Sequence, residues 1–220
     1  RNCNLAIEQQ QTLSILGRSG SGKTTLLKIL AGLEHADAGD IRVEGQRIND
    51  WSPQRRNMIY LYQEALLFPH LNVFENVAFG LRLQKQDPDF VRTQTTEMLE
   101  SLELAEQAQK RPEQLSGGQR QRVAFGRALI VNPKVLLLDE PFGALDTGTR
   151  ENMQQLLQKI VHQQGITTLF VTHDLKEAML MGDKIATMQN GQLEQYPDKQ
   201  HFINDSSTGV QAEIDFWKGL

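Results

Sequence analysis

Cysteine is almost missing from this chain of 220 residues, which has only Cys3. A lone thiol cannot form an intramolecular disulfide, which suits a reducing compartment. Cys3 itself reads as a small apolar filler. Long apolar runs are missing too: none approaches the roughly 18–20 residues that a membrane span needs. No signal-peptide pattern opens the sequence, although it starts at Arg1 rather than Met, so residues ahead of it are expected. Nor is there a basic excess. Lys and Arg number 23 against 27 Asp and Glu, a net charge of −4, which gives no support to nucleic-acid binding. Five histidines (His35, His70, His162, His173, His201) show no H-x-x-x-H or Cys/His grouping, which argues against structural zinc. What remains is ordinary for a soluble globular chain, 39% hydrophobic and 23% charged. The expectation is one cytoplasmic domain spanning residues 1–220.

The texture along the chain changes twice. "TLSIL" (Thr12 to Leu16) is a β-rich apolar run ending at Gly17, followed by Leu26, Leu27, Ile29, Leu30 and Leu33 at helical spacing. "IRVEG" and "MIYLY" predict further strands. From about Leu66 to Ala128 the pattern is helical, in "VFENVAFGLRL", "VRTQTTEMLESLEL" and "QRQRVAFGRALI". Strand patterns return in "VLLLD", "TTLFVT" and "KIATMQNGQLEQ". "MQQLLQ" reads as the solvated side of a helix, "NDSSTG" as a surface loop, and the methionines of "KEAMLMGDKIATM" as core. The expected fold is α/β, a core of residues 1–64 and 129–220 around a mostly parallel sheet with an antiparallel portion. Residues 65–128 form an inserted helical subdomain in this reading.

Two motifs carry phosphate chemistry. Gly17-Arg18-Ser19-Gly20-Ser21-Gly22-Lys23-Thr24 fits G-x-x-x-x-G-K-[ST] between a predicted strand and a predicted helix, with Thr25 next. Inward-turned backbone N–H groups and the positive end of the following helix suit an anion. Lys23 can reach the β- and γ-phosphates of a nucleoside triphosphate, and the Thr24 hydroxyl can bind Mg²⁺. The second motif is the apolar run Val135 to Leu138 closing on Asp139-Glu140. A carboxylate at a buried strand end needs a partner, and Mg²⁺ with a triphosphate is one for Asp139. Glu140 is then placed to polarise a water for in-line attack.

Leu115-Ser116-Gly117-Gly118-Gln119 precedes the run Arg120 to Ile130 and has the donors of an anion site without a lysine. At this point the sequence resembles the ATP-binding cassette (ABC) family, whose LSGGQ signature closes over ATP held by a second, antiparallel subunit. Other elements stand in the family's order: Gln63 resembles the Q-loop glutamine, Ala144-Leu145-Asp146 the D-loop, and His173 in "FVTHD" the switch histidine.

The resemblance implies a P-loop ATPase fold and hydrolysis of Mg·ATP by a homodimer or a pair of ATPase subunits. It implies that Gln63 touches Mg²⁺ or the attacking water and that His173 meets the γ-phosphate. It further implies that Ser116, Gly117, Gly118, Gln119 and Asp146 serve the partner's nucleotide. "FPHLNVFENVAFGL" (Phe68 to Leu81) is close to the pattern of importer ATPases for sugars, ferric iron, molybdate and polyamines, the maltose-importer type. Leu66, Leu67, Phe68, Phe74 and Phe79 would line a groove for transmembrane permease subunits, which hold the protein to the inner face of the membrane. No nucleic-acid partner is expected. Exporter ATPases and soluble ABC ATPases of DNA repair or translation are the alternatives. A P-loop GTPase has no support, since no N-K-x-D motif occurs. The family's adenine-stacking aromatic has no counterpart ahead of the phosphate loop, where the first aromatic of the chain is Trp51, and a trimmed N-terminus is the expected cause. The β-rich C-terminal domain of sugar-type relatives is expected to be absent or removed.

Overall fold

The computed structural model describes residues 3–143 and 145–211. In chain order it has β1 (Thr12–Leu16), α1 (Lys23–Ala31), β2 (Arg42–Val43), β3 (Gln46–Arg47), α2 (Pro53–Arg56), β4 (Met58–Leu61), α3 (Val73–Leu83) and α4 (Pro88–Ser101). There follow α5 (Gly117–Leu129), β5 (Val135–Asp139), α6 (Thr147–Gln164), β6 (Thr167–Thr172), α7 (Leu175–Met181), β7 (Lys184–Gln189), β8 (Gln192–Gln195) and α8 (Lys199–Asn204). The main sheet has the order β4-β5-β6-β1-β7-β8. Its pairings are parallel except β7 with β8, which is antiparallel.

The central strands are apolar on both faces because both are covered. Leu13, Ile15, Leu137, Leu169 and Val171 face α1, meeting Leu27 and Ala31. Leu136, Leu138 and Phe170 face the other way, into one cluster with Val77 and Leu81 of α3, Leu99 of α4, Phe125 of α5 and Leu157 of α6. The helices of residues 73–129 therefore share a continuous core with the sheet. The rings of Phe125, Phe142 and Phe170 continue that link, with successive centroids 5.9 Å apart.

Several sequence expectations are corrected. "IRVEG" does not join the main sheet. Glu44 and Gly45 both take positive φ (51° and 77°), and the chain folds into a separate β2-β3 hairpin. "KIATMQNGQLEQ" is two strands, reversed at Asn190-Gly191, again with both residues at positive φ (50° and 76°). In "MQQLLQ", Gln154 is buried and donates to Glu177 Oε1 at 3.2 Å, so this face is not wholly solvated. Leu33 lies beyond the end of α1 and is exposed. "NDSSTG" contains a 3₁₀ turn, Ser206–Thr208. Met181 and Met188 are buried, as their spacing predicts. Cys3 packs against the α1 face and donates its S–H to the Gly191 carbonyl at 3.4 Å.

Candidate functional site

In a parallel sheet the loops after the strands share one edge. Four of them supply the site here: β1 leads into the phosphate loop, β4 to Gln63, β5 to Asp139-Glu140 and β6 to His173. Because β4, β5, β6 and β1 are neighbours, these residues lie side by side although they are far apart in sequence.

The phosphate loop turns back on the sheet, and the Gly17 N–H donates to the Thr172 carbonyl at 3.2 Å. Gly22 begins α1 and has no side chain to cap it, and the first turn carries no acid, so the positive end of the helix is left for an anion. Arg18, Ser19, Gly20, Thr24 and Thr25 are exposed, while Ser21 is buried with its hydroxyl unpartnered. Lys23 is only 4% exposed. Its ammonium donates to the carbonyls of Gly17 at 2.7 Å and Arg18 at 3.2 Å and lies 3.3 Å from Glu140 Oε1. An open cavity of about 670 Å³ lies against Gly17 to Ser21, with His173 and Met188 in its wall.

Asp139 is buried at the end of β5, and each of its oxygens has a partner. Thr24 Oγ1 donates to Oδ1 at 3.1 Å, and the Tyr60 hydroxyl donates to Oδ2 at 2.6 Å. Burial first, and then this hydrogen bond, hold the Tyr60 phenol above the ordinary tyrosine range, so it stays a donor. The Glu140 backbone is left-handed, with φ 44°, a costly conformation for a residue with a side chain. It aims the carboxylate at two cations or donors, with Oε2 2.7 Å from His173 Nδ1.

Gln63 is exposed, and a methyl placed on Gly143 would sit 3.2 Å from its amide nitrogen, so Gln63 borders the turn after Glu140. Asp146 caps α6 by accepting from the Thr149 N–H at 3.1 Å, and hydrogen bonds from Thr149 hold its carboxyl below the ordinary aspartate range. Ala144, in the same predicted loop, lies outside the described residues. Ser116 and Gln119 form a capping box at the start of α5, with bonds of 3.2 and 3.0 Å. Ser116 and Gly117 are exposed, and Gly118 packs so closely on α6 that an added methyl would come within 2.6 Å of Thr149 Cγ2. Among the described residues, no hydrogen bond or ion pair joins residues 116–119 to the phosphate loop. The signature residues and Asp146 thus share one surface of their own chain, away from bonded contact with Lys23.

The predicted groove residues divide. Leu66 and Phe79 are exposed, whereas Leu67 and Phe74 pack against the main core. The Phe68 and Phe79 rings meet at a 44° tilt with centroids 4.5 Å apart, and the Arg127 guanidinium lies 4.9 Å above the Phe68 ring. Behind them Asn76, fully buried, donates to the carbonyls of Phe68, Leu71 and Asn72 and accepts from the Phe68 N–H. Tyr60, Asn76 and Arg127 were not singled out by the sequence. Only Asn76 left a signal, a polar residue on the apolar face of "VFENVAFGL".

The donor set fits a phosphate with a hard divalent cation. Thr24 and Asp139 present two oxygens side by side, and hydroxyl plus carboxylate oxygen is the chemistry that Mg²⁺ prefers. The buried ammonium of Lys23 and the uncapped helix end face the same edge.

Comparison with known proteins agrees with this chemistry. Residues 1–143 match the family model described as "ABC transporter". The chain is 45% identical over 213 residues to a spermidine/putrescine import ATP-binding protein PotA of Clostridioides difficile (strain 630), covering 97% of this chain and 61% of that protein. It is 47% identical over 204 residues to the protein of the same name from Vibrio cholerae, covering 93% of this chain and 54% of that protein. The chain thus spans somewhat over half the length of these relatives. Among solved structures it resembles the ATP-binding cassette MJ0796, a dimeric post-hydrolysis state bound to ADP and Pi, with a TM-score of 0.78, 35% identity and 89% of each chain covered. The chain belongs to the ABC transporter family and carries its ATPase domain.

Proposed function

We propose that this domain hydrolyses Mg·ATP at composite sites in a head-to-tail pair and so drives solute import through permease subunits. The observation that carries this is the placing of Glu140 between Lys23 and His173, beside the Thr24–Asp139 pair. Lys23 and backbone N–H groups of the loop between Gly17 and Lys23 bind the β- and γ-phosphates. A bound Mg²⁺ would supply positive charge to offset what builds up on the phosphate oxygens. Thr24 and Asp139, with Gln63 at the rim, would hold it. Glu140 accepts the proton of the attacking water, and His173 orients Glu140 and meets the γ-phosphate.

Residues 116–119 and Asp146 serve the partner's nucleotide in this reading, which the exposure of Ser116, Gly117 and Asp146 and the lack of bonds from residues 116–119 to their own phosphate loop support. Charge-assisted hydrogen bonds of about 1.5–3 kcal/mol each could close such a pair when ATP is bound. Residues 65–128 act as the helical subdomain that carries this motion to the permease, with Leu66, Phe68 and Phe79 at the contact. The names of the relatives favour a polyamine as solute, and a position on the cytoplasmic face of the membrane follows.

The test is Glu140→Gln. It should bind ATP, dimerise and cease turnover, and hydrolysis at the parental rate would remove Glu140 from the role of base. A chain that co-purifies with permease subunits supports the transport half, whereas stimulation by DNA or ribosomes alone overturns it.

A further inference from the structure

The geometry points to Tyr60 as a positioning residue for Asp139, one that sets how tightly the site takes its divalent cation; this deepens the Mg·ATP reading and rests on it. The register of the sheet brings the two together. β4 runs parallel to β5 with Tyr60 opposite Leu137, and side chains alternate along a strand. Tyr60, Leu137 and Asp139 therefore share the face covered by α1, where Thr24 lies in the first helical turn.

A carboxylate anchored at one oxygen can still swing about its last bond. Asp139 is anchored at both, by Tyr60 on Oδ2 and Thr24 on Oδ1. An ionised carboxylate only accepts, so the phenol is the donor in its pair. The Tyr60 ring is itself held, meeting the Tyr62 ring edge-on at 4.5 Å and 82°. A donor that fixes the far oxygen of a metal-binding carboxylate orients the near one, and loss of such a partner typically lowers metal affinity 10–100-fold. Tyr60 touches neither nucleotide nor water in this account and acts through Asp139.

Tyr60→Phe keeps the ring and removes the hydroxyl. Binding of a fluorescent, non-hydrolysable ATP analogue is followed while MgCl₂ is titrated, and again in EDTA, alongside thermal melting. The half-saturating Mg²⁺ concentration should rise about 10-fold, with affinity in EDTA unchanged and the melting temperature lowered by a few degrees at most, since Asp139 keeps its bond from Thr24. In an Asp139→Asn background the same substitution should add nothing. A Mg²⁺ midpoint within about twofold of the parent overturns the role of Tyr60 alone, as does an equal loss of affinity with and without the cation. Parental binding that ignores Mg²⁺ altogether overturns the cation reading of the site, and this inference with it.

Discussion

Glu140 Oε1 lies 3.3 Å from Lys23 Nζ, so the group assigned to activate water is also the counter-ion of the group assigned to hold phosphate. A nucleotide must replace that carboxylate at the ammonium. A partly exposed ion pair contributes about 1 kcal/mol, which corresponds to roughly fivefold in a dissociation constant. Glu140→Gln should bind a non-hydrolysable ATP analogue about fivefold more tightly than the parent in a calorimetric titration. Lys23→Ala should bind it far more weakly and lose the distinction.

Asn76 makes four hydrogen bonds to the backbone of residues 68–72 from a fully buried position. Asn76→Ala takes these partners from the Phe68 N–H and the Leu71 carbonyl, whereas the Phe68 and Asn72 carbonyls keep bonds from the Leu71 and Asn76 N–H groups. It should cost about 3 kcal/mol, a fall of about 6–12 °C in melting temperature for a chain of this size. Asn72→Ala, which removes a helix cap, should cost about 1 kcal/mol. Calorimetric melting of both variants separates the two magnitudes.

Gly118 is required by its neighbour rather than by its own backbone. Gly118→Ala would press a methyl against Thr149 Cγ2 and should destabilise by about 1–3 kcal/mol. Adding Thr149→Ser deletes the opposing methyl and should return at least half of the loss in urea denaturation. Absence of any recovery would mean that α5 and α6 do not touch there in solution.

Glu177 is buried, accepts from Thr172 Oγ1 at 2.6 Å and from Gln154, and has its carboxyl raised above the ordinary glutamate value of 4.5 mainly by that burial. With the folded value above the unfolded one, its contribution to stability is complete below the unfolded value and is lost as pH rises through the folded one. The melting temperature of the parent should therefore fall relative to Glu177→Gln as pH is raised from below 4.5 towards neutrality. Parallel curves for the two proteins would contradict the burial of this carboxylate.

What the sequence made legible was local. The phosphate loop, the acid pair and the start of α5 are contiguous stretches whose backbone and charge requirements are written side by side, and the strands Thr12–Leu16, Val135–Asp139 and Thr167–Thr172 coincide with the apolar runs. The reversal at Asn190-Gly191 was legible too, because Asn-Gly favours the hairpin turn, but apolar alternation on both sides made one strand of two. Tyr60 was beyond reach: its partner lies on another strand, and a register between parallel strands leaves no mark in either sequence. Gln154 and Asn76 were read, or passed over, by residue type, whereas specific buried partners decide where they sit.

The strand that feeds the phosphate loop is made long before its two neighbours in the sheet, β6 and β7. A nascent polypeptide that has emerged only as far as Leu129 carries every residue from Gly17 to Thr25 but neither of the partners that flank β1. Such distant pairings close slowly. During synthesis the cradle must therefore wait for Gln189 to leave the ribosome, and until then the unpaired backbone edges of β1 need shelter from other chains.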